Sequence, residues 1–261
     1  MPLPVTARGP SARTVLNIDW QFPVWKAPEV ADDGDTVARQ VRRALTREEA
    51  LAYIAGDDPR PLLVLRECKV CNGTDAALLK FGAENEKTFL LSTWFHCVKL
   101  PVDVMEQDHP FHNLFQVEPT EHLFVATRDG ATHRALESET SRTELWKSMG
   151  EVMKLTYDDK SDSALKAVGK LLDKLDAADE RWNELSDRRD EILEEDGPGS
   201  RKLPKLEAKI AELDAERGEV LKEIAEAMKL KLKAVELDEA ASSAGPGPAD
   251  PPGPSPPGGA R

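Results

Sequence analysis

The sequence predicts an α/β protein: one mixed sheet flanked by helices, followed by a long antiparallel helical hairpin of coiled-coil type and a disordered Pro/Gly-rich tail. Three observations carry this. The run Leu62-Leu63-Val64-Leu65 is short, wholly apolar and preceded by turn residues, as a buried strand should be. Two β-like runs meet at Arg128-Asp129-Gly130, an Asp-Gly hairpin signal. From Ser163 onward the apolar residues recur in alternating steps of three and four.

Residues 1–15, with Pro2, Pro4, Gly9 and Pro10, read as a flexible arm. Residues 16–157 read as the α/β domain. Its first segment, 16–36, gathers Ile18, Trp20, Phe22, Val24 and Trp25 around two prolines. That cluster fits either a segment packed across the domain surface or a docking motif. Residues 37–56 have helical spacing, with Val37, Val41, Ala44 and Leu45 continued by Leu51, Ala52 and Ile54. Thr46 and Glu49 form a capping-box pattern, so a second helix is able to start there. Gly56 and Asp57-Asp58-Pro59 end it. After the strand come Glu67 to Cys71, a helical pattern through Ala76–Phe81, and a strand within 88–100. Residues 108–113 read as a loop or short helix. The hairpin spans 114–134, and a helix from Ser141 or Thr143 to about Tyr157 follows with Leu145, Met149, Val152, Met153 and Leu155 on one face.

Residues 158–240 read as the coiled-coil hairpin. Val168, Leu171, Leu175, Ala178, Trp182, Leu185 and Ile192 form one stripe, with Arg189 in a gap. Leu206, Ile210, Leu213, Val220, Ile224 and Ala227 form the second, with Arg217 in its gap. Asp196-Gly197-Pro198-Gly199-Ser200 breaks the pattern between them, and Pro204 is tolerated in a first helical turn. Such arms serve as a spacer, as a homodimer contact or as a surface for another protein. Residues 241–261, mostly Pro, Gly, Ser and Ala, hold no large apolar residue and read as a disordered tail.

A formal net charge of -13 argues against a nucleic-acid or anionic-membrane partner, both of which call for basic surface. No apolar run is long enough for a membrane span, and Met1–Arg13 lacks the apolar stretch of a secretory signal. The expected location is therefore cytoplasmic. Three cysteines, Cys68, Cys71 and Cys97, do not make a secreted disulfide framework.

The chemistry resides in Cys68-Lys69-Val70-Cys71. A CxxC motif between a buried strand and a helix puts the first sulfur where helix N–H groups and the dipole favour a thiolate, the species that attacks disulfides. The segment Pro61 to Cys71 resembles the strand and active-site turn of the thioredoxin family. The run from Phe115 through Pro119 to Gly130 is similar to that family's cis-proline strand and hairpin. The resemblance covers residues 38 to 157. It implies a redox-active disulfide, with Cys68 as nucleophile and Cys71 as the resolving thiol. Pro119 and its neighbour Thr120, with Lys69 and Val70, would shape the substrate groove. It implies protein thiols and disulfides as partners, an external reductase and no cofactor.

The chain departs from that family in three places. Glu67 stands where the family has Trp, Lys69-Val70 replaces Gly-Pro, and Leu62 replaces a buried acid. Lys69 favours the thiolate and Glu67 opposes it. The sequence leaves open whether the pair turns over. The preferred reading is an oxidoreductase. The alternative is a non-catalytic adaptor on the same fold, associating with itself or a partner through 158–240. A zinc site from Cys68, Cys71, His96 and Cys97 ranks last, because adjacent strand residues point to opposite faces; no metal is expected. Cys97 reads as a small core residue, and His109 and His112 as solvent-facing or locally bonded.

Overall fold

The computed structural model describes residues 8–25, 43–68, 83–115, 121–136 and 140–233. In chain order these residues form a single helical turn α1 (Pro10–Arg13), β1 (Trp20–Gln21), α2 (Arg47–Ala55), β2 (Leu62–Arg66), α3 (Glu86–Ser92), β3 (His96–Leu100), β4 (Leu123–Ala126), β5 (His133–Leu136), α4 (Arg142–Thr156), and two long helices, α5 (Ser161–Asp196) and α6 (Leu203–Ala227). Short 3-10 turns cover Val102–Met105 and His112–Phe115.

The strands make one mixed sheet in the order β1-β3-β2-β4-β5. β1 and β2 run parallel to β3, whereas β4 is antiparallel to both β2 and β5. β2 is the middle strand and every residue in it is buried. This explains its unbroken apolar run: a strand covered on both faces has no polar side to alternate with. Leu63 and Leu65 face a core built with Phe89, Phe95, Met149, Val152, Val168 and Val220. Leu62 and Val64 face Leu51, Ile54, Phe111, Leu114, Phe115 and Phe124. The β4–β5 turn closes at Gly130, whose φ of +73° is the left-handed conformation that glycine adopts without strain.

The cap that starts α2 follows the capping-box pattern of the sequence, and a second one starts α4. Thr46 and Glu49 exchange both capping-box bonds, as do Ser141 and Glu144. The helix expected over 37–56 is therefore shorter within the described residues. Residues 43–46 are non-helical and α2 begins at Arg47, because the Thr46 side chain caps there. Residues 37–42 and the helical pattern at 76–81 lie outside the described residues.

The arm expected over 1–15 is a correction for its described part. Residues 8–16 are bound to the helices that follow the sheet. Ser11 and Ala12 are buried. The backbone N–H of Gly9 donates to Asp176, and the N–H and hydroxyl of Ser11 donate to the two Asp179 oxygens at 2.8 and 2.7 Å. Arg8 pairs with Glu86 and Asp176, both at 2.7 Å. Glu86 lies 78 residues downstream in α3, and Asp176 and Asp179 more than 160 residues downstream in α5, so no local pattern could reveal them. The aromatic segment divides in the same way: Trp20 joins the edge strand β1, Trp25 packs on the α2 side, and Phe22 and Val24 are exposed.

The boundary expected at residue 158 does not separate two cores. Val168, Leu172, Leu175, Val220, Ile224 and Met228 share one apolar cluster with Phe95, Trp94 and Met149. Tyr157 donates its hydroxyl to the Trp94 carbonyl at 2.7 Å, and Trp94 donates its indole N–H to the Met228 carbonyl at 2.6 Å. Tyr157 also bridges Leu232 as an isolated antiparallel pair. At the far end, Ile192 clusters with Leu203, Leu206 and Ile210. The gap left in the stripe by Arg217 is filled by charge: its guanidinium meets the buried Asp179 at 2.8 Å and lies over Trp182. Residues 234–261, the Pro/Gly-rich tail among them, lie outside the described residues. No helix of the described residues is long and apolar enough to cross a membrane.

Candidate functional site

Cys68 is the second residue beyond β2. Its place is set by the strand before it, which hangs between two neighbours: Glu67 donates its N–H to the Leu100 carbonyl at 2.8 Å, and Arg66 donates its N–H to the His122 carbonyl at 2.7 Å. Cys68 is half-buried and disulfide-bonded. Cys71, Lys69, Val70, Pro119 and Thr120 lie outside the described residues. Glu121, the residue after Thr120, sits with its carbonyl beside the Arg66 side chain. Cys68 and Glu121 are thus at the same end of the sheet.

The charges here differ from those read in the sequence. Glu67, expected to oppose a Cys68 thiolate, is paired with Lys99 Nζ at 2.9 Å. An opposite charge at that distance cancels most of its local field. Arg66 ends the apolar strand and is nonetheless buried. It donates to the His122 ring at 3.0 Å, and its guanidinium lies 5.8 Å from the Phe115 ring centre. Burial pushes that guanidinium below its ordinary range.

Beside it, Glu121 is 1% exposed, and neither carboxyl oxygen has a hydrogen-bond partner among the described residues. Burial is the main cause that raises this carboxyl to about 7, with the charge of Arg47 acting the other way. His133 Nε2 stands 3.6 Å from it. Burial, followed by the charges of Arg47 and Arg134, pushes the imidazole down to about 4. The sequence reading missed Arg66 and Glu121 as site residues. The one available signal was a charged residue closing an otherwise apolar central-strand run.

Cys97 belongs to the core. It is 3% exposed, its thiol donates to the Ser92 carbonyl, and burial pushes it up to about 12. A thiol so placed is inert as a nucleophile. His96 Nε2 meets the Ile54 carbonyl at 2.9 Å and Nδ1 meets Asp58 at 3.0 Å, so both nitrogens are engaged away from Cys97. The four-ligand zinc arrangement read from the sequence is therefore not assembled by His96 and Cys97. His109, expected at the surface or locally bonded, is buried; its Nδ1 accepts from the Phe111 N–H at 3.1 Å.

Fold and site together define a mixed α/β protein with a disulfide-bonded cysteine at the carboxyl end of its central strand. Comparison with protein-family models, with curated proteins and with solved structures finds no match to this chain.

Proposed function

We propose that the chain exchanges thiols and disulfides with protein substrates, using a thioredoxin-like sheet and the Cys68–Cys71 pair. The observation that carries this is the contrast between two cysteines. Cys68 is half-buried, off the end of the central strand and in a disulfide, while Cys97 is sealed in the core. The strand order, the β4–β5 hairpin and the helix after it are consistent with the family resemblance of residues 38 to 157.

In the reducing direction, the Cys68 thiolate attacks one sulfur of a substrate disulfide. The Cys68–substrate bond forms, the substrate S–S bond breaks, and the leaving thiolate takes a proton from solvent. Cys71 then attacks the Cys68 sulfur and expels the second substrate thiol. Two electrons pass from the dithiol to the substrate, and an external dithiol reductase restores the pair. Pro119 and Thr120, with Lys69 and Val70, form the groove in this reading. The two long helices act as an antiparallel hairpin available to a second copy or another protein.

Insulin reduction by the wild type and by Cys68→Ser tests the proposal, together with titration of the pair against a redox buffer. The expected result is reversible oxidation at roughly -180 to -270 mV, with activity lost in the variant. A pair that does not titrate in that window favours the adaptor reading, which the apolar Leu62 at the acid position supports.

A further inference from the structure

Buried charges in folded proteins are paired, and most partly or fully buried charges here obey that rule. Asp179 has Arg217, Arg8 has Glu86 and Asp176, and Asp58 has Arg60. Arg66 does not. It is 6% exposed, and among the described residues its guanidinium bonds only to the His122 ring and, at 3.5 Å, to the Glu121 carbonyl oxygen. Neither carries a negative charge. The described acids nearby do not supply one: Glu67 is paired with Lys99, and the Glu121 carboxyl, which makes no hydrogen bond among the described residues, lies 3.6 Å from His133 Nε2. An arginine cannot escape by losing its proton, as a lysine can. Among the described residues, its cation therefore has no anion.

Its position suggests what supplies one. Arg66 precedes Cys68 by two residues, and alternation along a strand places residues two apart on one face. The Glu67–Leu100 backbone bond carries the ladder one residue beyond Arg66. We propose that Arg66, oriented by His122 and Phe115, is the counter-charge for a carboxylate of the substrate, so that the site selects disulfides set in acidic peptide segments. This rests on the thiol-exchange reading above and adds a substrate class to it. The selection runs against the overall field, because a chain of net charge -13 repels acidic peptides in general.

The test uses full-length protein, reduced with dithiothreitol and freed of excess reductant, in single-turnover reactions at low salt. Three blocked cystine peptides are compared, with glutamate, serine or lysine flanking the disulfide. The expected order is glutamate, then serine, then lysine, with a glutamate-to-lysine rate ratio of about ten. That ratio should fall toward one in Arg66→Met and in Arg66→Gln, which keeps a donor for His122. If the serine peptide is not reduced at all, the thiol-exchange reading fails and this inference falls with it. If the serine peptide is reduced but wild-type protein does not favour glutamate over lysine, the inference alone is overturned. A preference that persists in a folded Arg66 variant also overturns it. The wild-type ratio decides the matter even if both variants fail to fold.

Discussion

Glu121 and His133 lie 3.6 Å apart, and burial shifts their titration in opposite directions. In the unfolded chain at pH 5.5, glutamate is ionised and histidine largely protonated. In the fold, burial holds the first near 7 and the second near 4, so at the same pH both are neutral. Folding thus replaces an ionised pair by a neutral one without changing the proton count. The sign follows for each group. The raised Glu121 contributes stability that is full below about 4.5 and lost as pH rises through about 7. The depressed His133 contributes stability that is present above about 6.5 and lost as pH falls through about 4. Between 4.5 and 6.5 the two slopes oppose each other. Glu121→Gln should therefore gain stability relative to wild type as pH rises from 4.5 to 7. His133→Gln should lose stability relative to wild type as pH rises from 4 to 6.5. Each change should be of order 2 kcal/mol. Urea midpoints at four pH values check this, and parallel curves for the three proteins would show that the pair does not titrate as described. Nothing in the sequence marked Glu121 as buried, since charged residues in hairpin runs are ordinarily on the wet face. Gly130 was legible by contrast. Its Asp-Gly turn requires a positive φ, and a Cβ there would also collide with Leu51. Gly130→Ala should cost at least about 1 kcal/mol in the same urea assay.

At the scale of elements, β2 was readable because a central strand writes its burial into consecutive residues. The start of α2 was readable because a capping box lies within four residues of chain, whereas the apolar face of α4 placed its start only to Ser141 or Thr143. The N-terminal segment was not, because everything that holds it is distant. Gly9, Ser11 and Arg8 read as arm residues, and Asp176 and Asp179 read as the wet face of a charged helix. Only their meeting removes Asp179 from water, leaving it 3% exposed between Ser11 and Arg217. Arg217 in turn explains an interruption in the apolar stripe of α6 that the heptad pattern could only record as a gap. Breaking a buried pair by removing one partner leaves the other uncompensated and typically costs 3–5 kcal/mol; Arg217 keeps some solvent, so about 3 kcal/mol is expected for Asp179→Ala. The same variant should make Arg8 and Arg13 accessible to trypsin in otherwise folded protein. Unchanged melting and unchanged cleavage would mean that the segment is held by its apolar contacts and by the Arg8 and Gly9 bonds to Glu86 and Asp176, without Asp179.

For the whole molecule, the decisive feature is that the long helices share the core of the sheet. Heptad spacing showed that α5 and α6 would bury a stripe, but it could not show that the stripe's lower half would be shared with Trp94, Phe95 and Met149. A coiled-coil arm that merely follows a domain unfolds by itself and leaves the domain intact. Here Val168, Leu172, Val220 and Ile224 are all at most 2% exposed, and they cover one face of that core. Removing them would expose several large apolar side chains, each worth roughly 1.5–3 kcal/mol of burial. That loss approaches the whole stability of a domain of this size. The Trp94 indole would lose the Met228 carbonyl, and the segment 231–233 would no longer bond to 156–158. A chain ending at Tyr157 should therefore retain secondary structure but lose cooperative unfolding. In the full-length protein, near-ultraviolet ellipticity from the core aromatics and far-ultraviolet ellipticity, dominated by the long helices, should report one coincident urea transition. Two separated transitions, with the 1–157 fragment unfolding cooperatively at the midpoint of one of them, would show instead that the sheet and the helices are independent units.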